Sequence, residues 1–473
     1  MKILFRFLFL GFFLLWASVG WSLDPQIKRL ENKPLMNLAP PPLTIRTLSN
    51  GMKVYLLEDH ELSVFQIFAY VRGGSIQDPA DEVGLASLMA NLLRTGGTQK
   101  KKVEEIDRFL ENHGAALETG MTREYGTAYL QGLSKDLRPL LSLFFEILSS
   151  PRFEAGQVDL TKKRMIESLK RQNDEPEKIA LREYPKLIYG PKSVWARTPH
   201  EKSLNRISRQ DLLHFHQRFF HPDRIILAIS GDFKAGELFK WLEQDTRFWK
   251  PATEALPKIP EVQKIEKGGV AGIQKPGVQS TVLMGHFGDK RFNPDKFALI
   301  LMNYMLGGDI FSSRLGEEVR SNRGLAYSVF SHFGLETDYG LFYVLAQTRS
   351  EKTGEVVGLV EKEVRHFHKG FGFSETHLRF AKESILNQLV GDWEPLFNYV
   401  KERARLGFYG YPENYLEIYR QKISAVTLKE VKEVAKKYLF PDQIQILVVG
   451  DLKGLEGQLK KFGEVKEIPL DGF

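Results

Sequence analysis

The chain has eleven histidines, and they are the first side chains to test for chemistry, because a hydrolase without cysteine commonly works through a metal held by imidazoles. A helical metal pair needs histidines four apart so that both rings face one point, and no two histidines here have that spacing. His214 and His216 are two apart, as are His366 and His368, so on a helix their rings diverge and both pairs read as surface or half-buried side chains. His60-Glu61 has no matching histidine downstream and reads as loop. The complete absence of cysteine excludes disulfides, thiolate metal sites, iron–sulfur clusters and cysteine nucleophiles. No G-x-S-x-G elbow and no G-x-x-x-x-G-K-[ST] phosphate loop is present. Gly307-Gly308 before Asp309 reads as a tight turn, with a backbone nest for an anion as the alternative. Read from residue types and spacing alone, no complete catalytic set emerges.

The elements that would carry any site come in two copies. At an offset of 219 residues, Phe219, Pro222, Asp223, Gly231 and Asp232 correspond to Tyr438, Pro441, Asp442, Gly450 and Asp451. Upstream, Ile207-Ser208 and Val426-Thr427 keep the same offset as helix starts, and so do Glu175-Pro176 and Glu394-Pro395. Each Pro-Asp turn leads into a short β-rich run, residues 225–230 or 444–449, that Gly-Asp stops, which predicts a buried strand in each half. Strands are also expected at 53–57, 63–72, 272–273 and 280–285, ahead of long amphipathic helices. That order predicts an α+β fold, with helices covering an antiparallel-rich sheet in each half. Residues 250–268, with Pro251, Pro257 and Pro260 among lysines and glutamates, have the composition of an extended surface linker. The expected units are therefore 43–249 and 268–473.

Composition agrees with folded domains. The 473 residues, 42% apolar and 26% charged, suit a globular chain of roughly two to four domains. The 66 basic and 59 acidic side chains leave +7, spread along the chain, and nucleic-acid binding is not indicated. Lys2 and Arg6 precede an apolar run over residues 7–19 and then Gly20, Trp21 and Ser22, the layout of a secretory signal. Residues 1–22 are thus expected to direct the chain across the inner membrane to the periplasm or envelope, with an uncleaved N-terminal anchor as the alternative. Residues 23–42, rich in proline, read as a non-globular lead-in.

Two stretches together resemble the pitrilysin/insulinase family of zinc peptidases, which includes the mitochondrial processing peptidases. The first is Val83-Gly84-Leu85-Ala86-Ser87-Leu88-Met89-Ala90-Asn91-Leu92-Leu93, with Thr95-Gly96-Gly97-Thr98 close behind. Against the family's G-L-A-H-x-x-E-H-x-L, the first zinc histidine becomes Ser87, the general-base glutamate Ala90 and the second histidine Asn91. The family's third ligand, a glutamate on a later helix, aligns with Ser168, with Glu167 as the adjacent alternative. The second stretch, Gly307-Gly308-Asp309-Ile310-Phe311-Ser312-Ser313-Arg314-Leu315 through Arg320 and Gly324-Leu325-Ala326-Tyr327, is similar to the family's G-G…S-R-L…R-x-x-x-G-L-A-Y signature. Arg320 and Tyr327 match the arginine and tyrosine that, in active members, face the zinc across the chamber.

The resemblance implies two homologous units forming half of a peptidase clamshell, with no metal in this chain. It also implies a homologous zinc-binding partner with an intact H-x-x-E-H, so that this chain is the non-metal subunit of a heterodimeric metalloendopeptidase acting on peptide or unfolded polypeptide. In that role Arg320 and Tyr327 complete the partner's site, holding backbone oxygens and sharing the charge of the tetrahedral intermediate. The competing reading is a catalytically inactive peptide-binding or scaffold protein of the same fold. Taken singly, Arg320 on a helix could pair with Glu317 or Glu318, and Tyr327 could lie buried at a strand.

Overall fold

The run Ile225–Gly231 is buried at every residue, which a strand achieves only when both faces of its sheet are covered. How that happens organises the whole molecule. The computed structural model describes residues 41–264, 267–391 and 393–470; the expected secretory segment 1–22 lies outside them. Sheet one comprises β1 (Thr44–Thr47), β2 (Lys53–Glu58), β3 (Val64–Arg72), β4 (Ala116–Met121), β5 (Tyr125–Leu133) and β6 (Ile225–Gly231), in the order β1-β2-β6-β3-β5-β4. Only the β2–β6 pairing is parallel.

Sheet two repeats the plan. It takes in β7 (Gly269–Gln274), β8 (Gln279–Phe287), β10 (Ala326–Phe333), β12 (Leu341–Arg349), β13 (Gln445–Gly450) and β14 (Val465–Glu467), in the order β10-β12-β8-β13-β7-β14. Two short strands, β9 (Asp289–Lys290) and β11 (Leu335–Glu336), pair separately. The result is α+β, two mixed and mainly antiparallel six-stranded sheets under helices, and both belong to one compact unit that begins at Pro42. The expected strands appear at their places; those expected at 272–273 and 280–285 run several residues longer, because pairing continues after hydrophobicity stops, and the others agree to within one residue at each end.

Helix starts follow local chemistry. Ser208 caps Arg209–Phe219 and Thr427 caps Leu428–Tyr438, each in a reciprocal box with the residue three positions on, Asp211 or Glu430. These helices, with Leu85–Thr95 and Leu137–Ser149 in the first half and Lys296–Asn303 and Thr353–His368 in the second, cover one face of their own sheet. The other face is covered by a helix from the opposite half. Pro176–Tyr189 lays Ile179, Ala180, Tyr184 and Ile188 on sheet two against Ile273, Leu283 and Val449. Leu396–Phe408 lays Tyr399, Val400 and Ala404 on sheet one against Tyr55, Ile226 and Ala228. Tyr184 Oη donates to the Gln445 carbonyl at 3.1 Å, giving a buried phenol its partner.

One expectation is borne out with an addition and one needs correction. The described part of the 250–268 linker is extended and lies at the surface as expected, and in addition Leu256 packs on the first core and Ile259 and Val262 on the core beneath sheet two. His216 is not a surface or half-buried side chain. It is fully buried, stacked on Phe220 and donating from Nε2 to the Leu148 carbonyl at 2.8 Å.

His286 is buried in the second half in the same way, accepting the Phe440 N–H on Nε2 at 3.0 Å. Burial holds His216 and His286 at about 4, well below the ordinary histidine value. Since the unfolded chain binds these protons near 6.5, the stability they confer is complete above that pH and falls as pH drops toward 4. At pH 5 the loss is about 2 kcal/mol for each ring. Urea unfolding midpoints should therefore fall markedly between pH 7 and pH 5; a flat profile would contradict the neutral assignment.

Candidate functional site

The first motif occupies the helix Leu85–Thr95, and its packing face is intact. Leu85, Leu88, Met89, Leu92 and Leu93 are buried in the first core. Gly84 enters the helix at φ +107°, where any Cβ would sit 2.7 Å from Leu204, so glycine is required there. The free N–H groups of the first turn are met by Asp78, whose carboxylate accepts from Gly84 and Ala86 at 2.8 and 2.9 Å. Burial pushes the Asp78 carboxyl up to about 7, against the pull of those two bonds and of Arg197. Thr119 Oγ donates to the Ala90 carbonyl at 2.6 Å and ties the helix to β4, an edge strand of sheet one.

At the motif positions nothing can bind zinc. Ser87 is half-buried, the Ala90 methyl is buried, and exposed Asn91 points Nδ2 at the Met165 sulfur, 3.8 Å away on the helix Ala155–Arg171. Ser168 is one turn beyond Met165 and shares its side of the helix. Glu167 lies round the helix from there and pairs with Lys170 at 3.2 Å. Among the described residues no three histidine, aspartate or glutamate side chains converge as a metal cage. Serine, alanine and asparagine at these positions do not fit a zinc ion.

The second motif divides into groups that build the fold and groups that do not. Asp309 Oδ1 accepts from the N–H groups of Phe311 and Ser312, closing the turn that the glycine pair announces. A Cβ on Gly307 would lie 2.7 Å from the Ser331 nitrogen, so this glycine lets the turn pack on β10. Arg314 donates to Glu363 at 2.9 Å and to Glu318 at 3.2 Å, and Glu363 is fully buried. These are structural roles.

Arg320 and Tyr327 are different. Glu318 is occupied by Arg314, and among the described residues no carboxylate pairs with Arg320. Its Nε donates to the Tyr327 backbone carbonyl at 3.0 Å, and its guanidinium lies 4.5 Å from the centre of the Phe311 ring. Tyr327 falls in a bulge at the start of β10, between the paired residues Ala326 and Ser328, which turns its side chain outward. The ring is 59% exposed and Phe311 is 65% exposed. Both groups sit by the outer edge of sheet two, since β10 is its edge strand. A π-helical turn, Gly316–Ser321, carries the arginine, a backbone form frequent at functional sites.

The two motifs are not brought together. Among the described residues no hydrogen bond, ion pair or ring contact joins Ser87, Ala90, Asn91 or Ser168 to Arg320 or Tyr327. Sequence reasoning missed Asp78, Thr119, Met165 and Phe311, which position the motif residues; only Asp78, an acidic residue just before a glycine-led helix, left a signal.

Comparison with known proteins places these observations. A profile described as "Insulinase (Peptidase family M16)" matches residues 53–194, and one described as "Peptidase M16 inactive domain" matches residues 206–385. An uncharacterized zinc protease of Mycobacterium leprae is 25% identical over 399 residues, 83% of this chain and 88% of its own length. A Helicobacter pylori protein named as a non-peptidase homolog is 25% identical over 406 residues, 84% of this chain and 91% of its own. The solved structure of a peptidase M16 inactive domain from Pseudomonas fluorescens superposes with a TM-score of 0.79 at 28% identity, covering 91% of this chain and 100% of that one.

The geometry of the first motif can be tested by gain of function. Ser87→His, Asn91→His and Ser168→Glu combined should convert a chain with no zinc into one holding about one ion per molecule by elemental analysis. With the glutamate supplied by Glu167 alone and Ser168 left in place, zinc should stay absent, because the 167 position lies off the shared side.

Proposed function

The chain belongs to peptidase family M16, the insulinase family, and from that premise we propose that it is the metal-free subunit of a two-chain zinc endopeptidase. It is an M16-fold protein without the side chains that hold zinc, and the relative named as a non-peptidase homolog agrees with that. The observation that carries the proposal is the contrast between the motifs. The zinc positions have become Ser87, Ala90 and Asn91, while Arg320 remains unpaired by any carboxylate among the described residues and Tyr327 remains turned into solvent. A large phenol held outward beside a guanidinium that no carboxylate neutralises is suited to a peptide.

In this reading the partner, a homologue with an intact H-x-x-E-H, supplies the metal and the general base. This chain supplies charge stabilisation and grip. The Arg320 fork donates to backbone oxygens of the substrate, and the Tyr327 hydroxyl donates to the oxygen that gains charge as the tetrahedral intermediate forms. The backbone bond from Arg320 Nε to the Tyr327 carbonyl keeps the two groups in one mutual geometry before substrate arrives. Among the described residues no contact joins the two motifs within this chain, and the shared cores tie its two halves together, which supports a second chain as the partner of Arg320 and Tyr327. The charged-then-apolar start of the sequence supports a periplasmic or envelope setting.

The test mixes the purified chain with an H-x-x-E-H homologue from the same organism and follows peptide cleavage. The chain alone should cleave nothing, and the mixture should. Tyr327→Phe should lower turnover of the mixture about 100- to 1,000-fold while leaving assembly unchanged, since one donor to the intermediate is removed. A mixture that binds peptide but never cleaves it would instead make the chain a peptide-binding scaffold.

A further inference from the structure

A cavity of about 370 Å³ opens in the seam between the two halves, and none of the motif residues lines it. It falls within the size of small-molecule pockets. Its walls come from distant parts of the chain: Arg72 at the end of β3, Ile76 in the turn that follows, Leu256 and Ile259 of the linker, and Phe292 and Phe408 of the second half. Leu256, Ile259, Phe292 and Phe408 make an apolar side, with Phe292 largely exposed, while Gln77, Glu124, Arg291 and Thr337 line the remainder.

Arg72 is set into this wall without a counter-charge. One terminal nitrogen donates to the Phe408 carbonyl, and the guanidinium lies 4.4 Å from the centre of the Phe408 ring. Among the described residues no carboxylate pairs with it, and burial weighs against its charge. The neighbouring cation is already neutralised. Arg291 meets Glu124 at 3.0 Å and Glu336 at 3.5 Å and stacks on Tyr409 at 3.5 Å, while Tyr409 Oη donates to Glu124 at 2.9 Å. The cavity therefore presents one guanidinium without a carboxylate partner, Arg72, between an apolar side and the mutually paired Arg291, Glu124 and Tyr409. A half-buried cation recovers its lost hydration from an anion, and a planar fork matches a carboxylate best.

We propose that this seam cavity binds a single carboxylate on an apolar body, the carboxylate meeting Arg72 and the body lying against Leu256, Ile259 and Phe292. Two sources share this chemistry: the C-terminus of a peptide ending in a hydrophobic residue, and a free fatty acid. The site stands apart from Arg320 and Tyr327 and does not rest on the catalytic reading.

Calorimetric titration of the full chain with N-acetyl-alanyl-leucine, with its C-terminal amide and with octanoate tests the proposal. Whichever carboxylate binds should do so at least about tenfold more tightly than the amide, because the charge-assisted fork is lost in the amide. Binding of the peptide acid alone assigns a peptide C-terminus, and binding of octanoate alone assigns a fatty acid. Arg72→Gln should abolish binding. Since Arg72 also holds the Phe408 carbonyl, Ile259→Trp, which fills the cavity from the linker side, should abolish binding with Arg72 in place. Acid and amide binding alike, both variants binding as the parent does, or no binding by either carboxylate would each overturn the proposal.

Discussion

Each half of this protein makes a sheet with two apolar faces and supplies its own helices to only one of them. The second face is buried by a helix sent across from the other half, Pro176–Tyr189 onto sheet two and Leu396–Phe408 onto sheet one. Every other feature follows from this exchange. It allows β6 to be buried at all seven residues and β8 at all but its first. Fully burying side chains such as Ile179, Tyr184, Tyr399 and Val400 contributes about 1.5–3 kcal/mol for each aliphatic one, and that energy is available to neither half by itself. The exchange also creates the seam in which the linker lies and where Arg72 meets Phe408.

A locked seam separates folding from chemistry. The helix Leu85–Thr95 keeps its leucine face, its glycine entry and the Asp78 bonds at its first turn, all of which serve the core. Its motif positions carry half-buried Ser87, buried Ala90 and exposed Asn91, and the leucine face packs with these residues in place. Loss of the zinc side chains therefore leaves the fold intact, and the fold by itself says nothing about activity. What identifies a retained role is a group that the fold does not need. Arg314, held by buried Glu363, is explained by structure; Arg320 and Tyr327 are not.

Much of the architecture was legible because its causes are local. The β-rich runs bounded by Pro-Asp and Gly-Asp became strands, and Ser208 and Thr427 became caps, because a capping box or a turn needs only residues within one another's immediate reach. The degenerate motif was legible for a simpler reason, since Ser87, Ala90 and Asn91 lack the donor atoms wherever they lie. Other readings failed where distant residues intervened. His216 read as a surface or half-buried histidine until Phe220 and the Leu148 carbonyl enclosed it, and nothing in the proline-rich linker announced that Ile259 and Val262 would pack on the core beneath sheet two.

The sequence by itself determined the repeated α+β plan, the family resemblance and the loss of zinc ligands, because periodicity, turn chemistry and side-chain identity are properties of short stretches. Tertiary structure alone decided that Arg314 takes Glu318 and Glu363 while Arg320 is left without a carboxylate, that the bulge at Tyr327 turns the phenol outward, and that the halves exchange helices. It also placed Arg72 beside Phe408, 336 residues away along the chain. Such pairings depend on the packing of residues hundreds of positions apart, and no local pattern encodes them.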